Sequence, residues 1–280
     1  MTLDPANADQ AGYWNGEGGR RWMQLQDSQD RLFAPITAAL FAAAAPARGE
    51  AVIDVGCGAG ETTLRAAAAT GRALGLDISG PMLERARERA AAEGSPARFA
   101  LADATTLDLS GEQADLMISR FGVMFFADPA ATFANLRRGL RRGGRAALVC
   151  WRAPKLNPCL LLPYHAAVKH APPLPKLGPE DPGPFSFADE ARVRRILGAA
   201  GFSDITLTPL DLMLDVGVGE GLDNAVAKSL AIGPASRALA DQPEAVRRAA
   251  EAEIRAALAE HVRGEAVPLA AAVWIVRARA

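Results

Sequence analysis

Val52-Ile53-Asp54-Val55-Gly56-Cys57-Gly58-Ala59-Gly60 is the stretch of this chain whose residue types and spacing point most directly to chemistry. An apolar run ending in a carboxylate leads into three glycines on alternate positions, and a helix is expected from Glu61. Glycines so placed allow a tight turn and let a ligand approach the backbone closely. A second element, Leu76-Asp77-Ile78-Ser79, ends the next apolar run 17 residues after Gly60. An ionised Asp77 at a strand's carboxyl end is suited to accept both hydroxyls of a ribose. A third, Ala102-Asp103-Ala104, ends the following run, where Asp103 is placed either to accept from an exocyclic adenine amine or to cap a turn.

Two nucleotide ligands compete for such a site. A dinucleotide fold calls for G-x-G-x-x-G, with a helix N-terminus facing the pyrophosphate. The spacing here is G-x-G-x-G, and Asp54 precedes it. A carboxylate at that point repels a pyrophosphate and attracts an ammonium. S-adenosylmethionine carries an ammonium and a sulfonium and no phosphate, so charge favours it over NAD or FAD.

These residues need a scaffold, and the apolar pattern supplies one. Residues 51–55, 73–77, 97–102, 114–119 and 145–151 read as strands with nearly continuous apolar runs, as expected of strands buried on both faces. Helices fall between them: one opens at Ser79-Gly80-Pro81 and ends near Gly94, another runs from Asp128-Pro129 to Gly143-Gly144. The alternation predicts right-handed crossovers and a parallel sheet. Residues 205–210 and 271–278 add two strands. Ser186 to Asp189 reads as a capping box opening a helix that stops at Gly201. Residues 152–185 are proline-rich, with Pro179 among the prolines, and are expected to be loop apart from one short helix around Cys159–Lys169. The 211–266 stretch is too long for a turn and reads as a largely helical cap, strongest over Pro243–Val262.

The segments VIDVGCGAGETT (52–63), LGLDIS (74–79), PML (81–83), LADA (101–104), ADLMISRFGVMFFADP (114–129) and NLRRGLRRGGRAALVCW (135–151) together resemble the class I S-adenosylmethionine-dependent methyltransferases, within the broad group that includes the ubiquinone and menaquinone C-methyltransferases. The resemblance covers roughly residues 45–151, and the last two strands more loosely. It implies an α/β, Rossmann-like, seven-stranded, mostly parallel sheet in order 3-2-1-4-5-7-6 with the last strand antiparallel. It implies further that Gly56, Gly58 and Gly60 lie against the methionine moiety, Asp77 on the ribose, Ile78 and Met82 on the adenine face, and Asp103-Ala104 at the adenine edge. Ser119 and Arg120 would stand between cofactor and acceptor. Arg142 replaces the proline usual before the GG of such proteins. No quinone-specific segment is recognisable, so quinones are not carried over.

The sulfonium of such a cofactor already activates its methyl group, so a general base is needed only where the acceptor must lose a proton. Tyr13, His165 and His170 are the candidate bases. Trp14, Trp22 and Phe121 are candidates to flank the sulfonium by cation–π attraction, Trp22 first, and Arg20 and Arg21 are both candidates for the cofactor carboxylate. Acceptor contacts are expected from the Ser119–Phe126 floor and from Trp22, Leu160, Leu161, Tyr164, Phe185 and Phe187.

Composition narrows the choice of partners. The chain has 280 residues, half of them hydrophobic, and a formal net charge of -1, so no overall basic field draws it to nucleic acid. Arg137-Arg138 and Arg141-Arg142 read as a solvated helix end. No apolar run approaches a membrane span, and the polar N-terminus lacks the apolar core of a signal peptide. Cys57, Cys150 and Cys159 form no C-x-x-C pair, which suggests neither a disulfide framework nor zinc and favours a reducing cytoplasm. The expected organisation is an N-terminal helical cover (1–50), a cofactor-binding domain (51–210 with 267–280), and cap insertions (152–187 and 211–266). The expected activity is methyl transfer to an O, N or C atom of a small, partly apolar metabolite, with no metal, no nucleic acid and no membrane, and with a homodimer open as an assembly. The alternatives are a non-methylating reaction on the same fold, decarboxylation or cyclisation, and a non-catalytic cofactor-binding scaffold.

Overall fold

Each apolar run of the first half becomes a strand, in a computed structural model that describes residues 2–178 and 180–280; Pro179 lies outside the described residues. The strands are β1 (Val52–Val55), β2 (Ala73–Asp77), β3 (Arg98–Leu101), β4 (Ala114–Arg120), β5 (Leu140–Trp151), β6 (Ser203–Asp215) and β7 (Pro268–Arg279). They form one sheet in order β3-β2-β1-β4-β5-β7-β6. Strands β1 to β5 pair in parallel, and β7 pairs antiparallel with both β5 and β6. Fold class and strand order are therefore as expected. Burial on both faces holds for β1, β2 and β4, whereas the edge strands β3 and β6 are largely exposed.

Local chemistry sets the helix ends. Ser79 Oγ accepts from Met82 N at 3.4 Å, and Pro81 follows at the start of α5 (Gly80–Glu93), which ends at Gly94 in the left-handed region (φ 60°). Asp128 caps α6 (Pro129–Arg138) by accepting from Ala131 N at 3.0 Å. Contrary to expectation, this helix stops before Gly139. Ala114 N donates to Gly139 O at 2.8 Å, and β5 begins at Leu140. Gly143 (φ 77°) and Gly144 form a bulge inside that strand, where the pairing shifts from Leu140 to Arg145. The expected capping box is also corrected. Asp189 alone caps α8 (Glu190–Ala199), through Arg192 N at 2.8 Å. Ser186 Oγ instead donates to Met124 O at 2.6 Å, fastening the proline-rich segment to the loop after β4.

Three further groups of helices surround this core. The N-terminal residues form α1 (Ala8–Asn15), α2 (Glu17–Gln24) and α3 (Gln26–Ala44); α4 (Glu61–Thr70) follows the glycine loop; α7 (Pro158–Ala167), preceded by a short 3-10 turn at Pro154–Leu156, is the α-helix of the proline-rich segment among the described residues. Between β6 and β7 lie α9 (Gly221–Ala231), α10 (Gly233–Leu239) and α11 (Glu244–Ala259). Strand β6 runs to Asp215, so the helical insert starts later than residue 211. Ala166 and Ala167 of α7 bury with Val226, Ala235, Ile254 and Leu258 in an apolar cluster distinct from the larger one around the sheet. Two separate stretches of sequence thus build a single cap.

Asp215 closes the root of that cap. Its Oδ1 accepts from Gly217 N at 3.0 Å and Val267 N at 2.7 Å, and its Oδ2 accepts from Gly219 N at 2.6 Å. One carboxylate therefore ties the two ends of a 50-residue excursion together, from Gly217 to Ala266. Leaving those donors unpaired costs about 1–3 kcal/mol. Asp215→Ala is expected to lower unfolding free energy by that amount in urea denaturation, and Asp215→Asn by less.

Candidate active site

The carboxyl ends of the parallel strands open into a cavity of about 290 Å³, far larger than a packing defect or a single-water site. Its lining comes from the loops after β1 (Val55–Ala59), β2 (Leu76–Ile78), β3 (Ala102–Ala104) and β4 (Arg120–Gly122), from Trp151 at the end of β5, and from the covering helices. This is where ligands bind on open parallel sheets, beside the point at which strand order reverses.

The glycine loop is shaped by what a side chain would meet. Gly56 (φ 67°) faces Gly122, whose Cα would stand 2.6 Å from a Cβ on Gly56. Gly58 (φ 54°) is different: a Cβ there would meet only Met82 Sδ, at 3.4 Å, and would fill space beside the cavity. Gly60 (φ 87°) lies outside the lining. A Cβ there would strike Ala86 at 2.9 Å and the Phe99 ring at 3.1 Å, so this glycine lets α4 start hard against α5 and β3.

Carboxylates gather around the loop. Asp77 Oδ2 accepts from Gly58 N at 2.7 Å and Oδ1 from Ser79 N at 2.8 Å, which leaves lone pairs free on a group that lines the cavity. Burial raises its pKa above the usual carboxylate value, and the backbone donors partly offset that. Asp54 is fully buried beneath the loop. Its Oδ2 accepts from both Thr62 and Thr63 hydroxyls at 2.6 Å, and its Oδ1 has no protein partner. Burial pushes its pKa up to about 6. Asp103 is directed away from its expected role: Asn7 Nδ2 donates to Oδ1 at 3.0 Å and to Oδ2 at 2.9 Å, with Asp4 N and Thr105 N as further donors. The N-terminal segment thus saturates the carboxylate that sequence assigns to the adenine edge, although Asp103 still lines the cavity beside Ala104.

Of the other expected residues, Tyr13, Trp14, Trp22, Ile78, Met82, Arg120 and Phe121 reach the cavity. Ser119 does not: it is buried, and its Oγ donates to Val55 O at 2.7 Å. Arg120 donates to Glu61 Oε2 at 2.7 Å and Thr37 Oγ1 at 2.6 Å, and lies 3.7 Å from Asp30, joining α3, α4 and β4. Phe121 holds φ 70°, uncommon for a bulky side chain, and stacks on Trp151 with centroids 4.4 Å apart. Arg20 and Arg21 both pair with Glu17 and do not line the cavity. His165 and His170 are exposed and lie outside it as well, because α7 buries Pro163, Ala166 and Ala167 instead; His170 Nε2 stands 3.9 Å from Glu253. Leu160 lines the cavity, while Leu161, Tyr164, Phe185 and Phe187 do not. Tyr164 Oη accepts from Leu174 N at 3.0 Å, and Phe187 packs in the core against Phe133.

Several lining residues carry no sequence signal, Asn7, Asp30, Phe33 and Arg237 among them. Gly122 had one, a glycine directly after the fourth strand's polar end. Among the described residues no group of His, Cys, Asp and Glu is placed to hold a metal ion, and no helix is long and apolar enough to cross a membrane. Cys57 lines the cavity, but burial, with Asp77 and Asp54 nearby, raises its thiol well above the usual range.

Residues 52–144 match a family model described as a methyltransferase domain. Over this stretch the chain is similar to methyltransferase domains. An uncharacterized Mycobacterium tuberculosis protein is 32% identical over 155 residues, 54% of this chain and 56% of that protein. The match thus spans little more than half the length of that relative. A demethylmenaquinone methyltransferase of Clavibacter sepedonicus is 28% identical over 172 residues, 58% of this chain and 69% of that one. The YcgJ protein of Bacillus subtilis superposes with a TM-score of 0.58 at 16% identity, over 87% of this chain and 97% of that one, and supports the fold alone.

The residues present fit the cofactor of this domain class. Gly58 leaves room at the loop, Asp77 keeps free lone pairs, and a buried Asp54 oxygen has no hydrogen-bond partner among the described residues. Asp54 also makes a signed prediction. Its folded pKa, about 6, stands above the ordinary aspartate value, so its contribution to stability is full below pH 4 and lost as pH rises through 6. Relative to Asp54→Asn, the ligand-free wild type is expected to lose roughly 2 kcal/mol between pH 4 and pH 7. Denaturant titrations of both proteins across that range measure the difference.

Proposed function

We propose that this protein transfers the methyl group of S-adenosylmethionine to an O, N or C atom of a small, partly apolar metabolite. The observation that carries this reading is a single cavity shared by the glycine loop, Asp77 and a set of aromatic rings. One end of it suits the cofactor, and the other suits an apolar acceptor. When bound, the cofactor supplies a methyl group already activated by its sulfonium. Gly56–Ala59, Asp77, Ile78, Met82 and Ala104 would hold it, and Asp54 would add a favourable charge from below.

The chain's own work is then positioning and exclusion of water. Trp14 and Trp22 of the N-terminal cover, Phe121 and Trp151 of the floor, and Leu160 of α7 bound an apolar space. Holding an acceptor there in line with the methyl group can contribute on the order of 7–11 kcal/mol. Of the three candidate bases only Tyr13 reaches the cavity. Burial raises its phenol pKa above the ordinary value, outweighing Arg237 and Arg21, so at neutral pH Tyr13 is a hydrogen-bond donor and not a base. The reading therefore places turnover on alignment, with an acceptor that is nucleophilic without help from a histidine.

In this reading residues 1–50 act as a cover, 51–210 with 267–280 as the catalytic domain, and α7 with α9–α11 as the acceptor cap. The covered cavity supports a small-molecule acceptor, and three unpaired cysteines support a reducing cytoplasm. Asp77→Ala is expected to weaken binding of S-adenosylhomocysteine roughly tenfold or more, through loss of charge-assisted hydrogen bonds. Calorimetry on both proteins tests this. Equal affinities, or no binding by the wild type, would overturn the assignment. NAD is expected not to raise the melting temperature, whereas S-adenosylhomocysteine should raise it.

A further inference from the structure

The cavity is electrically lopsided. Its inner part is lined by Asp77 and Asp103, which have no ion-pair partner among the described residues, and by Asp30 and Glu61, which are paired with Arg89 and Arg120. Its other guanidinium belongs to Arg237, on α10 of the cap. Arg237 stands over the Tyr13 ring, with its central carbon 5.6 Å from the ring centroid, so the cap and the N-terminal cover meet at this pair. The two arginines acting on the Tyr13 phenol differ in commitment. Arg21 is held by Glu17 at 3.0 Å and reaches Ser236 Oγ at 3.4 Å. Arg237 is exposed, and no ion pair engages it among the described residues.

A guanidinium that lines the cavity without an ion-pair partner among the described residues, over the ring of a tyrosine whose hydroxyl can also donate, offers donors that suit a carboxylate. A cationic group entering at that point would be repelled. Trp14, Trp22, Phe121 and Trp151 line the same cavity and offer an apolar body their ring faces, while Arg120, which stands over the neighbouring Phe33 ring, is already taken by Glu61. The acidic inner part suits a cation and disfavours an anion, so a molecule with one anionic end has one favourable orientation here.

We propose that the methyl acceptor is a carboxylate with an apolar body, its carboxylate held by Arg237 and Tyr13 and its body lying among the cavity's aromatic rings. This rests on the methyl-transfer reading and adds to it the class of the acceptor. Arg237 is then a specificity-determining residue, contributed by the cap and separate from the residues that hold the cofactor.

The test uses the full chain saturated with S-adenosylhomocysteine and, in parallel, the ligand-free chain. Decanoate and 2-naphthoate are titrated by calorimetry, each against its neutral primary amide. The wild type is expected to bind each acid about tenfold more tightly than its amide, a preference that weakens as salt is raised. Arg237→Gln should abolish the preference while leaving amide affinity and S-adenosylhomocysteine affinity unchanged. Arg237→Lys, which keeps the charge, should retain part of it, and Tyr13→Phe should reduce it without abolishing it. Equal binding of acid and amide by the wild type, no binding of either acid, or full acid preference in Arg237→Gln would each overturn the proposal. Failure to bind S-adenosylhomocysteine would instead sink the methyl-transfer reading, and the acid–amide comparison on ligand-free protein separates the two outcomes.

Discussion

The architecture turns on the contact between the loops that leave β1 and β4. A Cβ on Gly56 would stand 2.6 Å from Gly122 Cα, and a Cβ on Gly122 would stand 2.6 Å from Val55 O. No side chain fits at either position. These strands are neighbours at the place where strand order reverses, so their loops diverge around a crevice, and bare backbone lets them begin from contact. Ser119 Oγ fastens the same junction by donating to Val55 O. Directly before Gly122, Phe121 is held at φ 70° and laid flat against Trp151. Strain of this kind persists only where surrounding structure over-determines it; here both stacked rings line the cavity.

Charge placement follows from that geometry. Asp54 is buried because the strand carrying it lies in the middle of the sheet, and two threonines from the first turn of α4 reach back to a single one of its oxygens. A buried carboxylate short of partners destabilises its ionised form, which is why its pKa rises to about 6. A cationic ligand above it would relieve the same deficit. A phosphate above the same carboxylate would deepen that deficit instead.

How much of this was legible in sequence depended on whether a residue's surroundings were local. The parallel strands, the alternate glycines and Asp77 were readable because period and position along one strand determine them. The end of α6 was misread at Gly143-Gly144, because a bulge and a helix stop make the same demand on glycine, and only the pairing of Ala114 with Leu140 separates them. Gly60 carried the right pattern for the wrong reason, since packing against Ala86 and Phe99 requires it. His165 and His170 sat in the right segment, but the apolar side of α7 turned them outward. Asn7 on Asp103, and Arg237 on Tyr13, join residues about one hundred and two hundred positions apart; no pattern in one sequence could have brought them together.

The last step concerns how the cap relates to the sheet. Because α7, α9, α10 and α11 pack in a cluster of their own, substitutions inside the cap disturb that cluster before they disturb the strands. Residues more than about 7–10 Å apart with no shared partners usually contribute additively. The glycine loop and Asp77 reach the cavity from loops of the sheet, whereas Leu160, Pro234 and Arg237 reach it from α7 and α10. A chain built this way can vary the helix faces between β6 and β7 while the glycine loop and its carboxylates stay fixed. The family match over 52–144 takes in the glycine loop and Asp77, whereas the cavity residues of α7 and α10 lie outside it.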